Sequence, residues 1–132
     1  MQRLQNHCAR IIENNFDYVN VRGLELVSNL GWMNIRERFL YFQILLIFKC
    51  IYGLAPTYLT NNVIFDFEIS SRTTRKHNMD LYTNVPDNEF HKNMLFYSGA
   101  KEWNMLPNYL KDCNDIVRFK YMLKKYVKQE RH

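Results

Sequence analysis

The sequence is poor in the residue patterns that catalysis and cofactor binding require. Its four glycines are scattered and no G-K-[ST] run occurs, which excludes a loop that cradles nucleotide phosphates. The G-x-S-x-G turn of serine hydrolases is also absent. Two-cation polymerase or nuclease chemistry needs carboxylates close together, but acidic residues are never adjacent here. One close pair, Asp66 and Glu68, would share one solvated face of a strand. We therefore expect no catalytic residues, no small-molecule substrate and no cofactor.

Cysteine is scarce as well. Cys8, Cys50 and Cys113 are far apart and form no C-x-x-C pair, so we expect reduced thiols and no zinc or redox site. His7 and Cys8 are neighbours, but adjacent helix positions diverge by about 100° and do not easily face one ion. Reduced thiols are typical of an intracellular compartment, the nucleus or the cytoplasm.

Long hydrophobic runs are missing too. The most apolar stretch, 39–52, is too short to cross a membrane and contains Lys49 near its end. The first residues, MQRLQNHCARII, contain neither a long apolar run nor a cleavage-site pattern, so we expect no signal peptide. We expect no membrane partner.

Aromatic residues and positive charge are what the sequence does contain. Phe and Tyr occur nine times each in 132 residues, which is enough to fill the core of one domain spanning 1–132. Lys and Arg outnumber Asp and Glu by 18 to 13, giving a net charge of +5. This balance is compatible with a nucleic-acid partner, and equally with no polyanionic partner at all.

The spacing of apolar residues predicts a mainly α fold, a small helical domain of about five helices. We expect these helices at 2–15, 24–30, 35–52, 90–106 and 116–129. A shorter element begins at Pro56, and the segment 64–86 should be irregular or contain short strands. Asn34 with Glu37 resembles a capping box, and Asp115 is placed to cap the last helix.

Apolar stripes predict which side chains face inward. On the first helix the stripe consists of Leu4, Cys8, Ile11 and Ile12. The helix at 35–52 is apolar on nearly every side and should be buried on nearly every side. The side chains expected in the core also include Trp32, Tyr58, Phe90, Met94 and Trp103.

Basic residues form two clusters that could follow a phosphate backbone. One lies in the polar run 70–78 and the other on the last helix. A solvated outer face is the alternative interpretation of both clusters. The candidate nucleic-acid contacts are Arg72, Arg75, Lys76, Lys120, Lys124, Lys125 and Lys128.

Several segments, read in order, resemble the C-terminal region of reverse transcriptases from LINE-type (non-LTR) retrotransposons. The run 4–12 is similar to the family's L-Q-N-x-x-A-R-I-I, and 30–38 to its L-G-W-x-x-x-x-x-R. The stretch 48–59 matches F-K-x-x-x-G-x-A-P-x-Y-L closely. The residues 103–107 resemble W-N-x-L-P, and 119–124 resemble the closing F-K-x-x-L-K. Arg72 and Arg75 stand where the family carries an arginine-containing turn.

The resemblance implies a non-catalytic fragment of an RNA-directed DNA polymerase. The family's polymerase centre contains a [YF]-x-D-D turn in a palm that precedes this region, and the present sequence has no Asp-Asp pair. Template RNA, target DNA and the upstream polymerase domain are the implied partners. The alternative is a structural or protein-interaction module without a nucleic-acid role. Its signature would be an exposed apolar patch on the helix at 35–52.

Overall fold

The chain is mainly helical, as predicted. A computed structural model describes residues 1–69, 79–83, 87–92 and 94–130. Among these residues, five helices have seven residues or more and four others have a single turn. In chain order they are α1 (Gln2–Glu13), α2 (Gly23–Asn29), α3 (Ile35–Ile51), α4 (Thr57–Thr60), α5 (Asp66–Ile69), α6 (Glu89–Lys92), α7 (Leu95–Asn104), α8 (Asn108–Lys111) and α9 (Ile116–Glu130).

The main core lies where α3, α7 and α9 meet. Phe48 of α3 and Phe119 of α9 stack with ring centroids 4.1 Å apart and an interplanar angle of 17°. Trp103 of α7 completes the group, with its ring 5.9 Å from Phe119 and 6.5 Å from Phe48. All three side chains are fully buried. Aromatic pairs in such geometries contribute about 0.5–1.5 kcal/mol beyond the burial of their area.

Local chemistry fixes the start and end of α3. The Asn34 side chain accepts a hydrogen bond from the Glu37 backbone N–H at 2.9 Å. The Glu37 carboxylate accepts one from the Asn34 N–H at 3.0 Å, which completes the predicted capping box. Gly53 follows the helix with a φ of 69°, and the next N–H donates to the carbonyl of Lys49 at 2.8 Å. A left-handed residue at this position favours glycine because no Cβ is present to clash.

The prediction that α3 is buried on nearly every side is wrong. One face, containing Leu40, Ile44 and Ile47, lies in the core. The side chains of Phe39 and Phe42 lie outside it, with 70% and 56% of their surface exposed. Among the described helices of seven residues or more, α7 and α9 pack most extensively on α3. They leave the face that contains Phe39 and Phe42 uncovered.

Gly99 marks a close approach between α7 and α3. A Cβ at this position would lie 3.1 Å from Cγ1 of Ile47 and 3.2 Å from Cγ of Gln43. The Gln43 amide also donates to the Ser98 hydroxyl at 2.9 Å across the same contact. The glycine is therefore explained by packing, since α7 continues through it without a break.

The predicted helix at 90–106 is two helices. Met94 has extended backbone angles and caps α7, which separates it from the single turn α6. Because the helical periodicity restarts there, Phe90 and Met94 are 78% and 47% exposed, against the prediction that both face inward. Tyr58 is also exposed, since α4 is a single turn that does not enclose it.

The helix α1 packs on α2 through its polar face, against the prediction. Ala9, Leu26 and Val27 form a second buried cluster, separate from the main core. Trp32 packs against this cluster, as expected. The predicted inward stripe is instead exposed, and its members are Leu4, Cys8, Ile11 and Ile12. A Cβ on Gly23 would lie 2.6 Å from Cβ of Asn6, so glycine allows this close approach.

Two glutamines explain why the polar face of α1 turns inward. The Gln2 side chain accepts a hydrogen bond from the Ile35 N–H at 2.9 Å, at the first turn of α3. The Gln5 amide donates to the Met33 carbonyl at 2.7 Å. The first N–H groups of a helix have no partner within the helix, so the Gln2 amide oxygen satisfies an existing demand.

Arg10 is buried at the end of α1 and holds the connection to α2. Its guanidinium donates to the carbonyl of Val21 at 2.7 Å and to that of Asp17 at 3.3 Å. Its Cζ also lies 4.2 Å from the ring centroid of Tyr18. Backbone and side-chain hydrogen bonds from Asn20 lower the pKa of the Asp17 carboxyl, which is part of the same loop.

The segment 79–82 forms a short extended pairing with the residues before α5. Phe65 and Leu81 make an antiparallel bridge, flanked by hydrogen bonds from Asp66 N–H to the Asp80 carbonyl and from Tyr82 N–H to the Ile64 carbonyl. The pairing is an isolated bridge, so the described part of 64–86 is irregular apart from the turn α5 and contains no regular strand. The ranges 70–78 and 84–86 lie outside the described residues. Asp66 begins the single-turn helix α5, so it shares no strand face with Glu68.

Residues of the W-N-x-L-P segment hold this extended segment in place. The indole N–H of Trp103 donates to the Met79 carbonyl at 2.9 Å. The Asn104 amide accepts from the Leu81 N–H at 2.7 Å and donates to its carbonyl at 2.8 Å. The Lys111 ammonium, also buried, pairs with the Asp80 carboxylate at 2.6 Å. Trp103, Asn104 and Lys111 therefore clamp the extended segment in place.

Substituting Phe119 by Ala is expected to lower the free energy of unfolding by about 3–5 kcal/mol, because it removes the ring that joins α3 and α9. Urea denaturation followed by far-UV circular dichroism measures this. Val117→Ala on the same helix is the control, since that side chain is 72% exposed. We expect it to change stability by less than about 0.5 kcal/mol. Equal effects of both variants would contradict the aromatic core.

Asn104→Ala is expected to cost about 1–3 kcal/mol, because the buried backbone groups of Leu81 lose both partners. Hydrogen exchange should show the Leu81 amide losing protection. Asn108→Ala, at an exposed asparagine one element later, is the matched control. Unchanged protection of Leu81 in the Asn104 variant would show that the clamp does not hold the segment.

Candidate interaction surfaces

The helix α9 separates its residues into a buried and an exposed face. Phe119, Leu123 and Val127 are fully buried against the main core. Asp115 begins the helix as predicted, because its carboxylate accepts from the Val117 N–H at 3.2 Å and its carbonyl from the Phe119 N–H at 2.8 Å. Since α9 is anchored by these contacts, the direction of its outer face is fixed.

Three of the predicted nucleic-acid contacts lie together on that outer face. Lys120, Lys124 and Lys125 are all exposed. Lys120 and Lys124 are one turn apart, about 6 Å along the helix axis. The sequence from 116 to 129 contains no acidic residue, so these charges are not neutralised along the helix. This basic face, defined by the three lysines, is suited to phosphate groups.

Tyr121 and Arg118 extend the basic face and were not among the predicted contacts. Tyr121 is 62% exposed, and the Lys125 ammonium lies 4.6 Å from its ring centroid. Arg118 is exposed on the first turn of the helix. The signal in the sequence is an aromatic residue interleaved with lysines at helical spacing. An exposed ring among cations is typical of surfaces on which bases stack.

Lys128, another of the predicted contacts, makes a different interaction. The Lys128 side chain is half-buried, and its ammonium donates to the Gly31 carbonyl. Lys128 therefore ties α9 to the turn that follows α2, which leaves its ammonium less available to phosphate. Arg72, Arg75 and Lys76 lie outside the described residues.

A second surface is an apolar groove beside α3. It consists of two adjoining cavities of about 320 Å³ and about 690 Å³, which share Met1, Ile35 and Arg38. The smaller one extends along α1, and the larger one extends past Phe39 and Phe42 to the start of α7. The exposed apolar patch on α3 is the feature expected of a protein-interaction module.

The described residues contain no group of three His, Cys, Asp or Glu side chains that could hold a metal ion. The three cysteines are free, and burial raises the pKa of the Cys50 thiol, which keeps it protonated and unreactive. None of the described helices has the length and hydropathy needed to cross a membrane.

Comparison of the chain with protein families, curated proteins and solved structures found no match. The resemblance to reverse transcriptases therefore depends on the motif residues of the sequence. Several of those residues have clear structural roles in the fold. Asn6 packs against Gly23, Gly31 follows α2 with a φ of 73°, and Trp103 and Asn104 clamp the segment at 79–81.

Proposed function

We propose that this chain is a non-catalytic C-terminal region of a LINE-type reverse transcriptase, and that the basic face of α9 binds RNA or single-stranded DNA. The observation that carries the binding function is the exposure of Lys120, Lys124 and Lys125 on one side of an anchored helix. The family assignment is supported by the order and spacing of motifs from about residue 4 to 127.

The chemistry of the basic face favours a single strand over a duplex. Lysine ammonium groups contact phosphates without regard to sequence. The exposed ring of Tyr121 can stack on a base only when that base is not already stacked in a duplex. Lys125, 4.6 Å from the ring centroid, adds a positive charge next to the same base. We therefore expect weak sequence preference and strong dependence on salt.

A second candidate function is docking on a protein partner, such as the upstream polymerase domain. The specific observation in its favour is the exposure of Phe39 and Phe42 on α3. This surface is made by α1, α3 and the start of α7, and residues of α9 do not line it. Both functions can therefore belong to one chain.

The double variant Lys120→Glu/Lys124→Glu tests the binding function. At low salt it should weaken binding to a fluorescein-labelled single-stranded RNA by at least roughly tenfold, because two phosphate contacts become repulsive. Fluorescence anisotropy between about 50 and about 200 mM salt should also show the slope of log K against log salt falling by about 1.4.

A control of equal charge is needed for this experiment. Arg22→Glu/Lys101→Glu makes the same change in net charge at exposed residues of other elements. It should retain most of the affinity and the original salt slope. Equal loss in both double variants, or no binding by the unmodified chain at low salt, would refute the assignment of the basic face.

Tyr121→Ala should weaken binding to single-stranded RNA by about 1–3 kcal/mol, the contribution of one stacked base. The salt slope should stay unchanged, because no charge is removed. Tyr109→Ala is the matched control, since Tyr109 is 57% exposed on α8. An equal loss for duplex RNA would contradict stacking, since duplex bases are not available to the ring.

A further inference from the structure

The exposed face of α3 has the spacing of a helix-binding seam. Its apolar side chains Ile35, Phe39, Phe42 and Leu46 follow i, i+4, i+7 and i+11 and all line the groove. This spacing places them in one row on the helix surface. The row is about 17 Å long, which corresponds to three helical turns. A single amphipathic helix fits a row of this length and spacing.

Among the described residues, the charge that lines the groove is positive. Arg38 lines both cavities, and no acidic side chain of the described residues lines either of them. The row on α3 continues after Leu46 to Lys49, a half-buried lysine one turn further on. Arg38 forms no ion pair within the described part of the chain. The described lining of the groove is thus mostly apolar with one positive charge, Arg38, and Lys49 lies one helical turn beyond Leu46.

A second copy of the chain fits this surface poorly. A symmetric dimer places the same patch on both sides of the interface. Arg38 and Lys49 of one copy would then face the same cations of the other, and such like-charge contacts oppose association. An occupant with acidic residues beside its apolar stripe would instead pair with them.

We propose that the groove between α1 and α3 binds an amphipathic helix of a protein partner that carries Asp or Glu beside its apolar stripe. The apolar stripe of that helix inserts between Leu4 of α1 and the side chains of Phe39 and Phe42 of α3. Its acidic side chains meet Arg38. This inference specifies the partner chemistry for the docking function and does not depend on nucleic-acid binding, which uses α9.

Selection from a displayed peptide library tests the proposal. The peptides are about 16 residues long and helical, with apolar residues fixed at i, i+4, i+7 and i+11. The flanking positions vary among Asp, Glu, Lys, Arg and Ser. Selection on the full chain should enrich Asp and Glu at the flanks. Selection on Arg38→Glu should reverse this preference toward Lys and Arg.

Matched variants connect the selected peptides to the groove. Phe39→Ala/Phe42→Ala should weaken their binding by at least roughly tenfold, since aromatic anchors dominate such interfaces. Phe16→Ala, at a 52% exposed phenylalanine outside the groove, should leave binding unchanged. Far-UV circular dichroism verifies that each variant is folded, as expected for exposed positions.

Three results would overturn the proposal. The first is that the full chain enriches no more peptides than the Phe39→Ala/Phe42→Ala variant does. The second is that the selected peptides show no preference for acidic flanking residues. The third is that the chain forms concentration-dependent dimers that this variant abolishes. The last result, measured by analytical ultracentrifugation, would assign the groove to a second copy. Lys120→Glu/Lys124→Glu should bind the selected peptides normally, so failure of nucleic-acid binding and failure of helix docking are distinguishable.

Discussion

The stacking of Phe48 on Phe119 is the contact on which the rest of the structure depends. These residues are far apart in the sequence, and Trp103 from a third helix packs against both. The same indole donates its N–H to the Met79 carbonyl, so one side chain joins the aromatic core to the extended segment. Aromatic rings bury large areas and have few rotamers, which makes them efficient at fixing helices that meet at one place.

This contact also determines which helix faces remain available for partners. Phe48 and Phe119 turn one side of α3 and one side of α9 toward each other. With about 100° between successive residues, Phe39 and Phe42 lie on the opposite side of α3, and Lys124 on the opposite side of α9. The apolar groove and the basic face are therefore separate surfaces. Occupation of one leaves the other accessible.

Features that depend on local chemistry could be predicted from the sequence. Asn34, Asp115 and Gly53 mark helix ends because capping side chains and left-handed glycines act on the nearest backbone groups. The division at Met94 was missed, since neither proline nor glycine marks it there. The exposure of Lys120, Lys124 and Lys125 could be predicted as well, because these lysines lie outside the apolar stripe that is visible in the sequence.

Features that depend on distant partners could not be predicted. Gln5 faces inward because the carbonyl of Met33 needs a donor, and no pattern within α1 shows this. Lys128 was grouped with the other lysines, although the carbonyl of Gly31, far away in sequence, takes its ammonium. The position of Tyr121 among lysines is visible in the sequence, but the exposure of its ring follows only from how α9 docks on the core.

The wrong predictions for α1 and α3 concern the same surface. The stripe containing Leu4 and the row containing Phe39 both have the periodicity of buried residues. Leu4 and Cys8 of the stripe and the whole row on α3 line the groove, whereas Ile11 and Ile12 of the stripe do not. Exposed apolar patches of this kind are typical of surfaces that a partner buries. A helix docked between α1 and α3 would cover Leu4, Cys8 and the row on α3 at once. On this interpretation the sequence pattern describes the complex, whereas the isolated chain shows the surface that the complex covers.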